Sequence, residues 1–125
     1  MKKFQVIEKL NQAWAAFNDS LTGLSEAQLL VPGVTGEWSV KHLMAHVAWW
    51  EQEALKHLPH ILQGLRPPRY SVLYGGIDAF NARMTRETNH LSLAEVQAQF
   101  NATHQALLDY LQTVAEEHFT SETRF

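Results

Sequence analysis

The chain contains no cysteine. Disulfide bridges, zinc sites built from thiolates and cysteine nucleophiles are therefore excluded. The sequence also lacks a run of about 18 apolar residues, the length that a membrane-spanning helix needs, and it lacks the apolar segment of a secretory signal peptide at its N-terminus. We therefore expect a cytoplasmic protein that does not associate with membranes.

Positive charge is scarce. The sequence has ten lysines and arginines against 13 acidic residues, a formal net charge of −3, and the basic residues are scattered. Because no basic stripe is present to contact phosphates, we expect a small-molecule substrate or ligand and no nucleic-acid partner. Hydrophobic residues make up 46% of the 125 positions, enough for one core, so we expect a single domain over residues 1–125.

Apolar residues recur with the period of a helix and not with that of a strand. No segment alternates apolar and polar residues with period two, whereas spacings of three and four are common. Long helices are predicted over residues 4–21, 39–58, 77–89 and 92–117, with one short turn of helix after Ser25. This pattern predicts an all-α fold, a helical bundle.

Several residues are typical of helix ends. Ser39 is a good N-cap for the second long helix, and Ser92 with Glu95 forms a capping box for the last. Pro59 is expected to kink or end the second helix, and the glycines and prolines of residues 64–76 predict a loop. We predict one shared core, formed by Leu43, Val47, Trp50, Phe100, Leu107 and Leu111.

Two histidines, His46 and His104, lie on the apolar faces of two long helices. A histidine there is either a hydrogen-bonded core residue or a ligand, and helical bundles do build metal sites from facing helices. We predict that both rings are buried and face one interior region. Glu53, seven residues after His46, is either a solvated charge or a carboxylate partner of that site. His42 is expected on the solvated flank.

Residues 36–51, with the sequence GEWSVKHLMAHVAWWE, resemble the second-helix signature of the DinB/YfiT-like superfamily, with closest similarity to its ClbS/DfsB-type and maleylpyruvate-isomerase-like branches. Residues 77–83 and 92–111 are similar to the third-helix region of those proteins. The resemblance implies a four-helix bundle with one long crossover. Many members hold a divalent metal through three residues. The resemblance implies that His46 matches the metal-binding histidine of their second helix.

The other two ligands of such members usually come from a C-terminal helix, as an HxxxH or ExxxH pair, and this sequence has no such pair after His104. The resemblance therefore implies either a bundle that lacks its C-terminal helix or a departure from the metal-binding pattern. In the first hypothesis, nickel or zinc held by His46 together with His104 or Glu53 activates water or a thiol in a transferase or hydrolase that acts on a small electrophile. In the alternative, a non-catalytic ClbS/DfsB-like bundle binds or sequesters a small molecule.

The end of the sequence suggests an association surface. Residues 116–125 are too polar and too short to cover the wide apolar stripes of three long helices. An uncovered apolar groove normally marks a surface for association. We therefore expect a two-fold homodimer that uses the first helix, with Trp14 and Phe17 at the contact.

Overall fold

The computed structural model describes residues 1–120, and of Tyr70 only the backbone. In these residues the regular structure is α-helical, and β-type pairing is limited to an isolated bridge between Thr35 and Trp38. The helices are α1 (Lys3–Ser20), α2 (Glu26–Leu30), α3 (Val40–Leu62), α4 (Tyr70–Leu73), α5 (Ile77–Thr88), α6 (Leu93–Thr113) and α7 (Glu117–Thr120). The predicted all-α class is confirmed. Within the same residues, every helix is too short or too polar to traverse a lipid bilayer.

Helices α3 and α6 form the central pair of the bundle, with α2 and α5 against α3 and α1 against α6. The apolar core lies between them because each helix buries one stripe against its neighbours. Its buried residues are Val40, Met44, Ala45, Trp49, Phe80, Val96 and Phe100. The bundle thus leaves α1 as an outer helix, without a fully buried residue along its length.

The predicted core is correct on α6 and wrong on α3. Phe100, Leu107 and Leu111 are buried, whereas Leu43, Val47 and Trp50 are only half-buried. The buried positions of α3 are Val40, Met44, Ala45, Ala48 and Trp49, a stripe rotated by about one residue from the predicted one. Helix α3 carries apolar side chains on adjacent stripes because it packs against three other helices, and periodicity alone does not say which stripe lies deepest.

The serine caps are confirmed. The Ser92 hydroxyl accepts a hydrogen bond from the Glu95 main-chain N–H, and the Ser39 hydroxyl accepts one from His42. His42 is half-buried instead of solvated, because its Nδ1 accepts from the Ser39 main-chain N–H at 3.1 Å. Its Nε2 therefore carries the hydrogen and donates to Asn89 Oδ1 at 2.8 Å, which ties the start of α3 to the end of α5.

Two predicted helix ends and one predicted loop are wrong. Helix α3 continues past Pro59 to Leu62, because the proline removes one main-chain donor and only the last turn lies beyond it. The predicted loop 64–76 contains the short helix α4. Helix α6 ends at Thr113, where the extended backbone of Val114 separates it from α7.

Candidate functional site

His46 lies in an aromatic setting on α3. Its ring centroid is 5.1 Å from that of Trp38 and 6.1 Å from that of Trp50, which it meets edge-on. The Nδ1 atom is buried and has no hydrogen-bond partner among the described residues. Burial lowers the pKa of this imidazole, because it disfavours the charged form. His46 is thus a neutral, half-buried ring between two tryptophans.

Glu53 is neither a solvated charge nor a neighbour of His46. One carboxylate oxygen, Oε2, lies 3.1 Å from His57 Nε2, and the other accepts a hydrogen bond of 2.9 Å from the Tyr74 hydroxyl. Lys56 Nζ donates to the same hydroxyl at 3.1 Å. These contacts place Glu53 in a row of hydrogen-bonded polar side chains that joins α3 to the segment after α4.

His104 is buried on α6, with 6% of its surface exposed. Its ring stacks on Trp14 of α1, with centroids 4.5 Å apart and planes at 5°. Its Nε2 lies 3.3 Å from Asn11 Oδ1 and donates the hydrogen there, which leaves Nδ1 as an acceptor. Nδ1 lies 3.4 Å from Glu51 Oε2, a contact without hydrogen-bond geometry. Burial lowers the pKa of His104, so the ring is neutral.

Glu51 is a candidate site residue that the sequence pattern did not single out. Its side chain is 12% exposed, and both carboxyl oxygens are buried without a hydrogen-bond partner in the described part of the chain. Burial raises the pKa of this carboxyl to about 7. A pattern in the sequence could have found it: Glu51 follows Val47 by four residues and so places a carboxyl on an apolar stripe of α3.

Glu51 and His104 face a largely apolar cleft of about 320 Å³ between α1, α3 and α6, here called the Glu51 cleft. Its lining residues are Leu10, Ala13, Trp14, Phe17, Val47, Glu51, Phe100, His104 and Leu107. Besides the Glu51 carboxyl, the buried Trp14 Nε1 also lacks a hydrogen-bond partner within residues 1–120. Small-molecule sites are typically apolar clefts of about 300–1,000 Å³ with a few convergent polar groups.

The pair in the cleft is suited to proton transfer near neutral pH. A carboxyl with a pKa of about 7 exchanges between its acidic and basic forms at physiological pH. Because His104 Nε2 donates to Asn11, the unprotonated Nδ1 is the atom that faces Glu51. A shift of a few tenths of an ångström would bring Glu51 Oε2 within hydrogen-bond distance of that nitrogen.

The structure does not gather His46, His104 and Glu53 into one site. Each contacts different neighbours: His46 the tryptophans of its own segment, Glu53 the side chains of His57 and Tyr74, and His104 the cleft. Across residues 1–120 no three histidine or acidic side chains are arranged to hold a metal ion. His46 Nδ1, which has no hydrogen-bond partner within residues 1–120, offers one metal ligand. A divalent cation takes at least three protein ligands, so this single imidazole does not fit one.

Comparison with known proteins gives one result. A family model described as the DinB superfamily matches residues 9–125. Neither a curated protein nor a solved structure matches the chain.

Proposed function

The chain belongs to the DinB superfamily, and from the Glu51 cleft we propose that this member binds a small organic molecule without a metal, in the manner of a bundle that sequesters or modifies its ligand. The observation that carries the proposal is the Glu51 carboxyl, which is buried at the wall of an apolar cleft and whose two oxygens accept no hydrogen bond within residues 1–120. A buried polar group without a partner costs about 1–3 kcal/mol, and a ligand donor relieves that cost.

The walls of the cleft favour an apolar ligand body. Trp14 and Phe17 from α1 face Phe100 from α6, with ring centroids 5.4 and 5.5 Å from the Phe100 ring. Aromatic walls of this kind bind flat or chain-like apolar groups through burial and dispersion. A ligand with an apolar body and a polar head fits both the aromatic walls and the Glu51–His104 pair.

The Glu51–His104 pair also supports a chemical role as a second candidate. At neutral pH the carboxyl can give or take a proton beside a neutral imidazole, which is the requirement for general acid–base catalysis of hydrolysis. In that role the ionised Glu51 carboxyl takes a proton from the attacking water and returns it to the leaving group, and His104 Nδ1 accepts a hydrogen bond from the carboxyl in its acid form. Asn11 holds the tautomer by accepting the hydrogen on Nε2.

Blocking the cleft with Ala13→Phe should weaken binding of 2-phenylethanol, a neutral aromatic probe. Ala13 is exposed on α1 and lines the cleft, so a phenyl ring there occupies ligand space without disturbing the core. We expect the Kd from an NMR titration to rise at least about tenfold, equal to a loss of roughly 1.4 kcal/mol.

Ala16→Phe is the matched control. Ala16 is also exposed on α1 but does not line the cleft, so this variant should bind the probe as the parent does. Far-ultraviolet circular dichroism checks that both variants remain helical. Equal affinity in the parent and in both variants, or no saturable binding at all, would show that the cleft is not the site.

The predicted homodimer remains a proposal, with a changed contact. Trp14 and Phe17 pack on Phe100 within the chain, so a dimer surface on α1 would use the more exposed Phe4, at 62% exposure. We expect analytical ultracentrifugation at micromolar concentration to give twice the 14.3 kDa mass of the chain, and Phe4→Glu to reduce it to that mass. A parent protein that sediments at 14.3 kDa would rule out the dimer.

A further inference from the structure

We infer, resting on the proposed function, that the ligand of the Glu51 cleft is an organic cation: a protonated amine on an aromatic or aliphatic body. The polar head of the ligand is assigned from the hydrogen bonds that the Glu51 carboxyl lacks, from the charges of the residues around it and from the aromatic walls of the cleft.

The Glu51 carboxyl needs hydrogen-bond donors. An ionised carboxylate is an acceptor only, with two oxygens that each need donors. Both Glu51 oxygens lack a donor in the described chain, and His104 presents an unprotonated nitrogen to one of them. An alkylammonium group carries up to three N–H donors in a compact head, so a single group can bond to Oε1 and Oε2 together.

The charges around the cleft also favour a cation. Among residues 1–120, those that line the cleft include no lysine and no arginine. On α6 the titratable group that faces Glu51 is His104, which is neutral, and on α1 the neighbours of His104 are the uncharged Asn11 and Trp14. An anionic ligand would meet a carboxylate without any compensating cation, whereas an ammonium ion would form a buried ion pair in surroundings of low dielectric constant.

The aromatic walls of the cleft favour a cation as well. The rings of Trp14, Phe17 and Phe100 line the same cleft as the carboxyl. Aromatic faces attract cations through the ring quadrupole, and this attraction increases when the cation is desolvated. The same rings accommodate the apolar body of the amine. Carboxylate and aromatic walls together therefore favour an organic cation over a neutral molecule of the same shape.

Two probes with the same body and different heads test the inference: 2-phenylethylammonium and 2-phenylethanol, titrated at pH 8. We expect the parent protein to bind the ammonium probe at least about tenfold more tightly than the alcohol. Glu51→Gln should abolish this preference, because the side-chain amide carries no charge to pair with the ammonium group. Glu53→Gln, which alters a carboxylate on the same helix outside the cleft, should keep the preference.

The pH dependence gives a second readout. An ammonium ion binds the ionised carboxyl, and a pKa of about 7 means that the ionised fraction rises about 30-fold from pH 5.5 to pH 8. Affinity for the ammonium probe should rise by a similar factor over that range, because the probe pairs with the ionised carboxyl. Loss of any positive charge on His104 as the pH rises acts in the same direction. The alcohol should show little change.

The two proposals fail in different ways. If alcohol and ammonium bind equally, and Ala13→Phe weakens both, then the cleft is a ligand site but the cation inference is wrong. If the ammonium preference persists in Glu51→Gln, the cation is bound elsewhere and the inference is wrong. If neither probe responds to Ala13→Phe, then the proposed function itself fails.

Discussion

Phe100→Ala lowers the free energy of unfolding by about 3–5 kcal/mol, the usual cost of deleting a large aromatic side chain from a core. Phe100 is 1% exposed on α6 and contacts both Trp14 and Phe17 of α1. Its removal leaves a cavity at the place where α1 joins the central pair. Urea unfolding followed by circular dichroism measures the loss.

Val72→Ala is the control for this variant. Val72 is 78% exposed on α4, so its replacement should change stability by less than about 0.5 kcal/mol. If Phe100→Ala costs less than about 1 kcal/mol, Phe100 does not lie in the core and the position of α1 on α6 is wrong.

Glu51→Gln should stabilise the protein at alkaline pH. Burial raises the pKa of Glu51 from 4.5 to about 7, so between these values the folded state binds more protons than the unfolded state. The contribution of this group to stability is therefore present at low pH and is lost as the pH rises through about 7. By linkage, the parent should lose about 2–3 kcal/mol from this group between pH 5 and pH 8. Glutamine, which does not titrate, should remove that loss.

His46, which is half-buried, and His104, which is buried, act in the opposite direction. The pKa values of His46 and His104 are lowered by burial, so the unfolded state binds more protons and stability falls as the pH decreases below 6.5. The parent and Glu51→Gln contain the same two histidines. The difference between their free energies of unfolding therefore reports mainly the Glu51 carboxyl. Urea unfolding at pH 5 and pH 8 measures that difference. A difference that does not change between the two pH values would mean that Glu51 is ionised in the folded protein.

The secondary structure was largely predictable because its determinants are local. Ser92 and Glu95 mark the start of α6 through their own hydrogen bonds, and Ser39 does the same for α3. The buried stripe of α3 was not predictable, since Val47 and Ala48 are both apolar neighbours on one helix. Only the placement of the other helices decides that Ala48 is fully buried and Val47 half-buried.

Only part of the candidate site was predictable from the sequence, because its partners come from different helices. His104 stands out because it interrupts an apolar stripe, and its burial is confirmed. Its partners come from α1 and α3, and Asn11 is 93 positions away in the sequence. Periodicity gives the face of a helix but not the direction in which that face meets its neighbours. For that reason the helical pattern predicted that His104 shares a site with His46, whereas in the structure His104 contacts Glu51.

The occupancy of the Glu51 cleft is measured most directly by intermolecular nuclear Overhauser effects between bound 2-phenylethylammonium and the protein at pH 8. The account predicts contacts from the phenyl protons to Trp14, Phe100 and Leu107, which line the cleft, and loss of those contacts in Ala13→Phe. Contacts to the surface around Tyr74 and Lys56 instead, or contacts that survive in Ala13→Phe, would contradict it.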